Sequence, residues 1–152
     1  EWCQSNGYVA GRMRMSGTRK RADAARDTEI VRVYLETHMI PDPEAAARYV
    51  APNFELTFTG GRKFDTPTGA TGFNARRYKW VKKKMERFET VPGEDETIVY
   101  SLGTLYGEWS DGTPFEGNRY IDRFVVRDGL IVSQDVWNDS AERLLIKNGL
   151  DV

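Results

Sequence analysis

The chain holds 152 residues, of which 39% are apolar and 12% aromatic, enough to bury one sizeable core and too few to require two domains. Its formal charge of −1 gives no general attraction to nucleic acid or to an anionic membrane. A lone Cys3 excludes an internal disulfide and metal sites of the CxxC type. No apolar run is long enough for a signal peptide or a membrane span, so a cytoplasmic protein is the expectation.

Residues 1–26 have turn-type composition and a basic cluster of Arg12, Arg14, Arg19, Lys20 and Arg21. They are expected to be an arm or an expression-derived segment, with the folded domain over 27–152. Such an arm could contact nucleic acid or phosphate, but no aromatic residues interleave its charges, which favours a solvated tail.

From Asp27 the pattern becomes regular. Ile30, Val31, Tyr34, Leu35 and His38 fall at helical spacing until the IPDP of residues 40–43. Asp42 as N-cap with Pro43 at the first helical position starts a second helix through Ala45, Ala46, Ala47 and Tyr49. In NFELTFTG, Phe54, Leu56 and Phe58 alternate with Glu55, Thr57 and Thr59, the mark of a strand with one buried face. A loop is expected from Gly60 to Gly72. The spacing of Phe73, Arg77, Trp80, Val81, Met85 and Phe88 then predicts a long amphipathic helix, with Arg76, Lys79, Lys82, Lys83 and Arg87 on its solvated face. That stripe could bind phosphate, although a solvated face is the simpler account.

Beyond Glu96 the sequence turns to strands: TIVYSLGTLYGEW, GNRYIDRFVV and LIVSQDVW, with turns at 110–114 and at Asp128-Gly129. Asp139 and Glu142 read as a capping box for a last helix that stops at Asn148-Gly149. The order predicts an α+β fold: a curved antiparallel sheet packed with N-terminal helices around a pocket.

The element order, the loop DTPTGATGF and above all YIDRFVVRDGLIVSQDVWND resemble the cone-shaped nuclear-transport-factor-two-like superfamily, within it the SnoaL-like group related to polyketide cyclases and ketosteroid isomerases. The resemblance covers roughly residues 27 to 147. It implies an apolar small-molecule pocket and a homodimer packed on the outer face of the sheet, where Glu55 and Glu108 would then lie. In the isomerase branch, itself a worked case of pKa tuning, a tyrosine and a protonated aspartate form an oxyanion hole while a second aspartate is the base. By that resemblance Tyr34 and Asp122 match the oxyanion pair, and Phe58 falls at the base position. A phenyl ring cannot take a proton, which argues against a steroid-type isomerase.

Two accounts of Tyr34 and Asp122 stay open. A desolvated Asp122 would stay neutral and donate to a carbonyl or enolate oxygen, or Tyr34 is a core aromatic whose hydroxyl satisfies Asp122. Asp135 resembles the strand acid of the superfamily's epoxide hydrolases and cyclases, but it faces the pocket only if Trp137 does. The hydrolases' remaining partners would fall near Gly103 and Leu105, so no such triad is present. His38, one helical turn past Tyr34, could replace the missing base or simply end a helix.

Phe54, Phe58, Trp80, Tyr120, Phe124 and Trp137 are expected as aromatic walls of the pocket. No metal, nucleotide or flavin motif occurs, so no cofactor is expected. The partner expected is a small apolar ligand or substrate rather than nucleic acid or membrane. Two functions follow: a cofactor-independent isomerase, cyclase or hydrolase of a carbonyl or polyketide-like compound, or a non-catalytic ligand-binding or protein-interaction domain.

Overall fold

The computed structural model describes residues 22–40 and 42–150; the basic cluster of Arg12, Arg14, Arg19, Lys20 and Arg21 lies outside the described residues. Helix α1 (Ala24–Glu36) begins slightly ahead of the first regular position because Asp23 caps it, accepting from the Arg26 N–H at 3.0 Å. Helix α2 (Pro43–Ala47) starts as expected, the Asp42 side chain accepting from the Ala45 N–H at 3.0 Å. Strand β1 (Val50–Phe58) buries Phe54, Leu56 and Phe58. The expected loop holds a short strand β2 (Arg62–Phe64) and a helix α3 (Pro67–Asn74). Its start was legible in Thr66-Pro67, since Thr66 caps the Gly69 N–H and Pro67 needs no partner for its nitrogen.

The long amphipathic helix does not form. Residues Tyr78–Pro92 are strand β3, paired antiparallel along its length with β4 (Glu96–Trp109). Two bulges explain the false periodicity. Strand alternation sends Val81, Lys83 and Met85 inward, an extra residue at Glu86 shifts the phase, and Phe88 then points inward as well. The apolar members Val81, Met85 and Phe88 thus sit four and three residues apart, which imitates a helix. Lys83 occupies the inward position that breaks the imitation, so the supposed basic stripe is divided between two faces of a strand.

Strands β5 (Pro114–Arg127) and β6 (Leu130–Asn138) follow, joined at Asp128 and Gly129, whose φ of 53° and 77° suit a two-residue hairpin turn. Helix α4 (Ser140–Lys147) lacks the expected capping box. Asp139 turns to Arg119 at 2.7 Å, and Asn138 Oδ1 accepts the Ser140 N–H at 3.0 Å instead. Gly149, at φ 68°, closes α4: its N–H reaches the Ile146 carbonyl at 3.0 Å and that of Leu150 reaches Leu145 at 2.9 Å.

The six strands form one sheet in the order β2-β1-β6-β5-β4-β3, with β1 and β6 parallel and all other neighbours antiparallel. Bulges in β3, at Leu105–Gly107 and at Val125–Val126 bend it into the curved, unclosed sheet of an α+β fold. Helix α1 lies in the hollow, where Val31, Tyr34 and Leu35 pack with Leu56, Val99, Phe124, Val126 and Ile131. Each such burial contributes about 1.5–3 kcal/mol. Among the described residues, no helix is long and apolar enough to cross a membrane.

Candidate functional site

Between α1, α3 and the inner face of the sheet lies a cavity of about 270 Å³, near the lower end of small-molecule sites. Leu35, Met39, Leu56, Phe58, Leu105 and Val136 give it apolar walls, and Tyr34, His38, Lys83, Tyr120, Gln134 and Asn138 bring polar atoms.

Of the expected aromatic walls, Phe58 and Tyr120 line this cavity, and Trp80 stands at its rim, 41% exposed and edge-on to Tyr106. Phe54 and Phe124 are buried in the core rather than along the cavity. Trp137 is 49% exposed on the opposite face of the sheet. Strand parity then decides Asp135. Gln134, Val136 and Asn138 point into the cavity, so Asp135 points away with Trp137 and meets Arg123 at 3.5 Å. It takes no part in the cavity.

Asp122 has 0% exposure, on the inward face of β5. The Lys83 ammonium donates to its Oδ2, and Gln134 Nε2 donates to the same atom at 3.5 Å. Asp122 Oδ1 is buried and meets no hydrogen-bond partner among the described residues. In both of its hydrogen bonds Asp122 thus accepts at Oδ2. Tyr34 does not touch it directly: the phenol donates to Gln134 Oε1 at 3.0 Å, and the amide carries the contact on to Asp122. Burial first, then the Asp122 charge, raises the Tyr34 phenol well above its ordinary value and keeps it a donor. Tyr120 is likewise pushed up to about 12, chiefly by burial.

Lys83 was hidden by the misread helix. Its side chain is 19% exposed, with the ammonium 4.0 Å from the Tyr120 ring centroid, a favourable seat for a partly desolvated cation. Gln134 was also missed, although its parity with Val136 was a usable signal: an amide on a buried face needs partners.

His38 lies just past α1 with its ring 4.7 Å from that of Tyr34. Its Nδ1 is 2.9 Å from the Tyr34 carbonyl oxygen, which can only accept, so Nδ1 carries the proton and Nε2 keeps its lone pair. Burial, and secondarily the Lys83 charge, lowers the imidazole below its ordinary value and leaves it neutral near pH 7. Glu55 and Glu108 sit apart, paired with Lys63 at 2.8 Å and Lys79 at 3.2 Å. Among the described residues no three of His, Cys, Asp and Glu gather as metal ligands would.

No protein-family sequence model matches the chain, and no curated protein is detectably similar to it in sequence. Solved structures resemble it in fold. A nuclear-transport-factor-two-like protein of unknown function from Burkholderia pseudomallei is 16% identical, with 78% of this chain and 95% of that one covered at a TM-score of 0.64. A protein described as a SnoaL-like polyketide cyclase from Jannaschia is 14% identical over 80% and 91% of the two chains, at 0.62. A Catenulispora acidiphila protein of ketosteroid isomerase-like fold, in complex with trimethylamine, is 18% identical over 81% and 94%, at 0.60. At such identities the likeness speaks to fold alone, and the fold of this chain is nuclear-transport-factor-two-like.

Proposed function

We propose that the chain is a cofactor-independent enzyme of carbonyl chemistry, an isomerase, cyclase or related activity, acting on a small apolar or polyketide-like compound held in the 270 Å³ cavity. One observation carries this reading: a neutral imidazole whose Nε2 has no hydrogen-bond partner among the described residues and an ammonium held by a buried carboxylate stand in the walls of one apolar cavity. A carbonyl oxygen near Lys83 would receive an N–H bond as negative charge grows on it, while His38 Nε2 takes a proton from the adjacent carbon and returns it elsewhere. The links from Tyr34 to Gln134 to Asp122 hold the acceptor side in place. His38 then supplies the base that Phe58 cannot.

The test is solvent deuterium exchange into a panel of enolisable ketones, with epoxides alongside, followed by NMR for wild type, Asp122→Asn and His38→Gln. Exchange that is lost in both variants while circular dichroism shows an intact fold supports the enzyme. Ligands that bind the wild type without exchange or turnover support the second reading, a non-catalytic binding domain. One feature favours that alternative: Tyr34, Gln134 and Lys83 already have partners within the protein, as a static wall would.

A homodimer is part of the same proposal. Cross-strand register aligns Ile98 with Val125 on one side of the Arg123–Asp135 pair, and Leu102, Ile121 and Trp137 on the other, all on the outer face of the sheet, two apolar rows flanking an ion pair that a second copy could cover. Sedimentation equilibrium showing only monomer at micromolar concentration would remove it. With one cysteine, this chain needs no oxidising compartment for an internal disulfide, and the cytoplasm is the setting we propose.

A further inference from the structure

We propose that Lys83 is an amine nucleophile that captures an aldehyde or ketone as a protonated imine, with Asp122 as its proton acceptor and counter-ion. The inference rests on the reading that the cavity takes a carbonyl compound, and it makes the contact with that carbonyl covalent.

Three features of Lys83 set it apart from Lys79 and Lys84 on the same strand. Its side chain is 19% exposed within an apolar cavity, whereas Lys79 is 64% exposed and Lys84 points outward. Its ammonium touches a fully buried carboxylate, so a base is in contact with the nitrogen that must lose a proton. The carboxylate also has spare capacity. Oδ2 receives both Lys83 and Gln134, while Oδ1 is buried, without a partner among the described residues, and can hold a proton.

The step balances within this set. The ammonium gives one proton to Asp122, and the freed amine attacks the carbonyl carbon, forming the C–N bond as the C=O π pair moves to oxygen. A second proton passes from nitrogen to that oxygen, giving a carbinolamine. Asp122 then returns its proton to the hydroxyl, water leaves with the C–O bond, and the nitrogen lone pair closes the C=N bond. Three ammonium protons become two in water and one on the iminium, and Asp122 is again a carboxylate. Nitrogen carries one positive charge at the start and at the end, beside Asp122 and over the Tyr120 ring in both states. No new charge is buried, and the apolar walls slow hydrolysis of the product.

The experiment uses the whole wild-type chain with hexanal and sodium cyanoborohydride, which fixes imines as secondary amines, and locates adducts by peptide mass spectrometry. Binding of hexanal and of hexan-1-ol is followed separately by calorimetry. Lys83 is expected to be alkylated about tenfold or more over Lys79 and Lys84, the modest end of what holding a reactant beside a nucleophile provides. In Asp122→Asn that preference should fall while hexan-1-ol still binds. Hexanal binding with Lys83 labelled no more than Lys79 and Lys84 overturns the covalent step and leaves the carbonyl cavity standing. Preference unchanged in Asp122→Asn overturns the role of Asp122, and absence of binding by either compound overturns both this inference and the reading beneath it.

Discussion

Replacing Lys83 by methionine removes the ammonium but keeps an unbranched apolar stem against the cavity wall, so the change isolates the charge. Asp122, at 0% exposure, would then keep one long contact, Gln134 Nε2 at 3.5 Å, with Oδ1 already lacking a partner. Removing one member of a buried pair typically costs about 3–5 kcal/mol, because the other charge stays behind without compensation. Domains of this size have only about 5–15 kcal/mol in hand. The expected loss is therefore a large share of the total, and the melting midpoint should fall by roughly 6–20 °C. Urea unfolding followed by tryptophan fluorescence measures it, with Asp122→Leu and the double variant completing a mutant cycle. The double variant should recover most of the loss, since exchanging a buried pair for apolar groups is often neutral. A single-variant loss below about 1 kcal/mol, the range of solvated surface pairs, would refute the reasoning, as would a double variant no better than Lys83→Met.

His38 sets a pH dependence whose sign follows from its lowered value. The unfolded chain binds the imidazole proton near the ordinary 6.5 while the folded chain binds it only at lower pH, so stability falls as pH drops from 6.5 toward the folded value and is full above it. Lys83 reinforces the lowering and Asp122 opposes it. Wild type should lose stability relative to His38→Gln between pH 7.5 and 5.5, and parallel melting curves would count against a buried neutral imidazole. Gly103→Ala puts a Cβ 2.0 Å from the Lys84 carbonyl oxygen and should cost about 1–3 kcal/mol, although alanine is the better strand residue. Gly72→Ala on α3 meets nothing within 4 Å and should stabilise by about 0.5–1 kcal/mol. A Gly103→Ala melt no lower than wild type would contradict the close approach of β3 to β4, and a Gly72→Ala melt that falls would contradict the open space at α3.

Much of the scaffold was legible from local chemistry. Asp42-Pro43, the alternation of Phe54, Leu56 and Phe58, Asp128-Gly129 and Asn148-Gly149 each act through their own neighbours, and each produced the element expected of it. Asp139 shows the limit. Its cap signal was sound by itself, but Arg119 from another strand offered a charged partner at 2.7 Å.

The candidate site depended on register, which no local pattern contains. Tyr34 and Asp122 were named on resemblance and His38 from its place one turn past Tyr34, and all three lie at or beside the cavity. Lys83 was not, because only pairing with β4 introduces the bulge at Glu86 that makes Val81, Met85 and Phe88 imitate a helix. Asp135 was assigned on resemblance, and one residue of parity placed it outside with Trp137. The sequence by itself determined α1, α2, β1, the β4-β5-β6 run, α4 and the α+β class, because caps, turns and alternation act within a few residues. Tertiary pairing alone decided that β3 is a strand, that Lys83 turns inward to Asp122, and that Gln134 stands between Tyr34 and that carboxylate. A strand's two faces are equivalent until a neighbour fixes which one is buried.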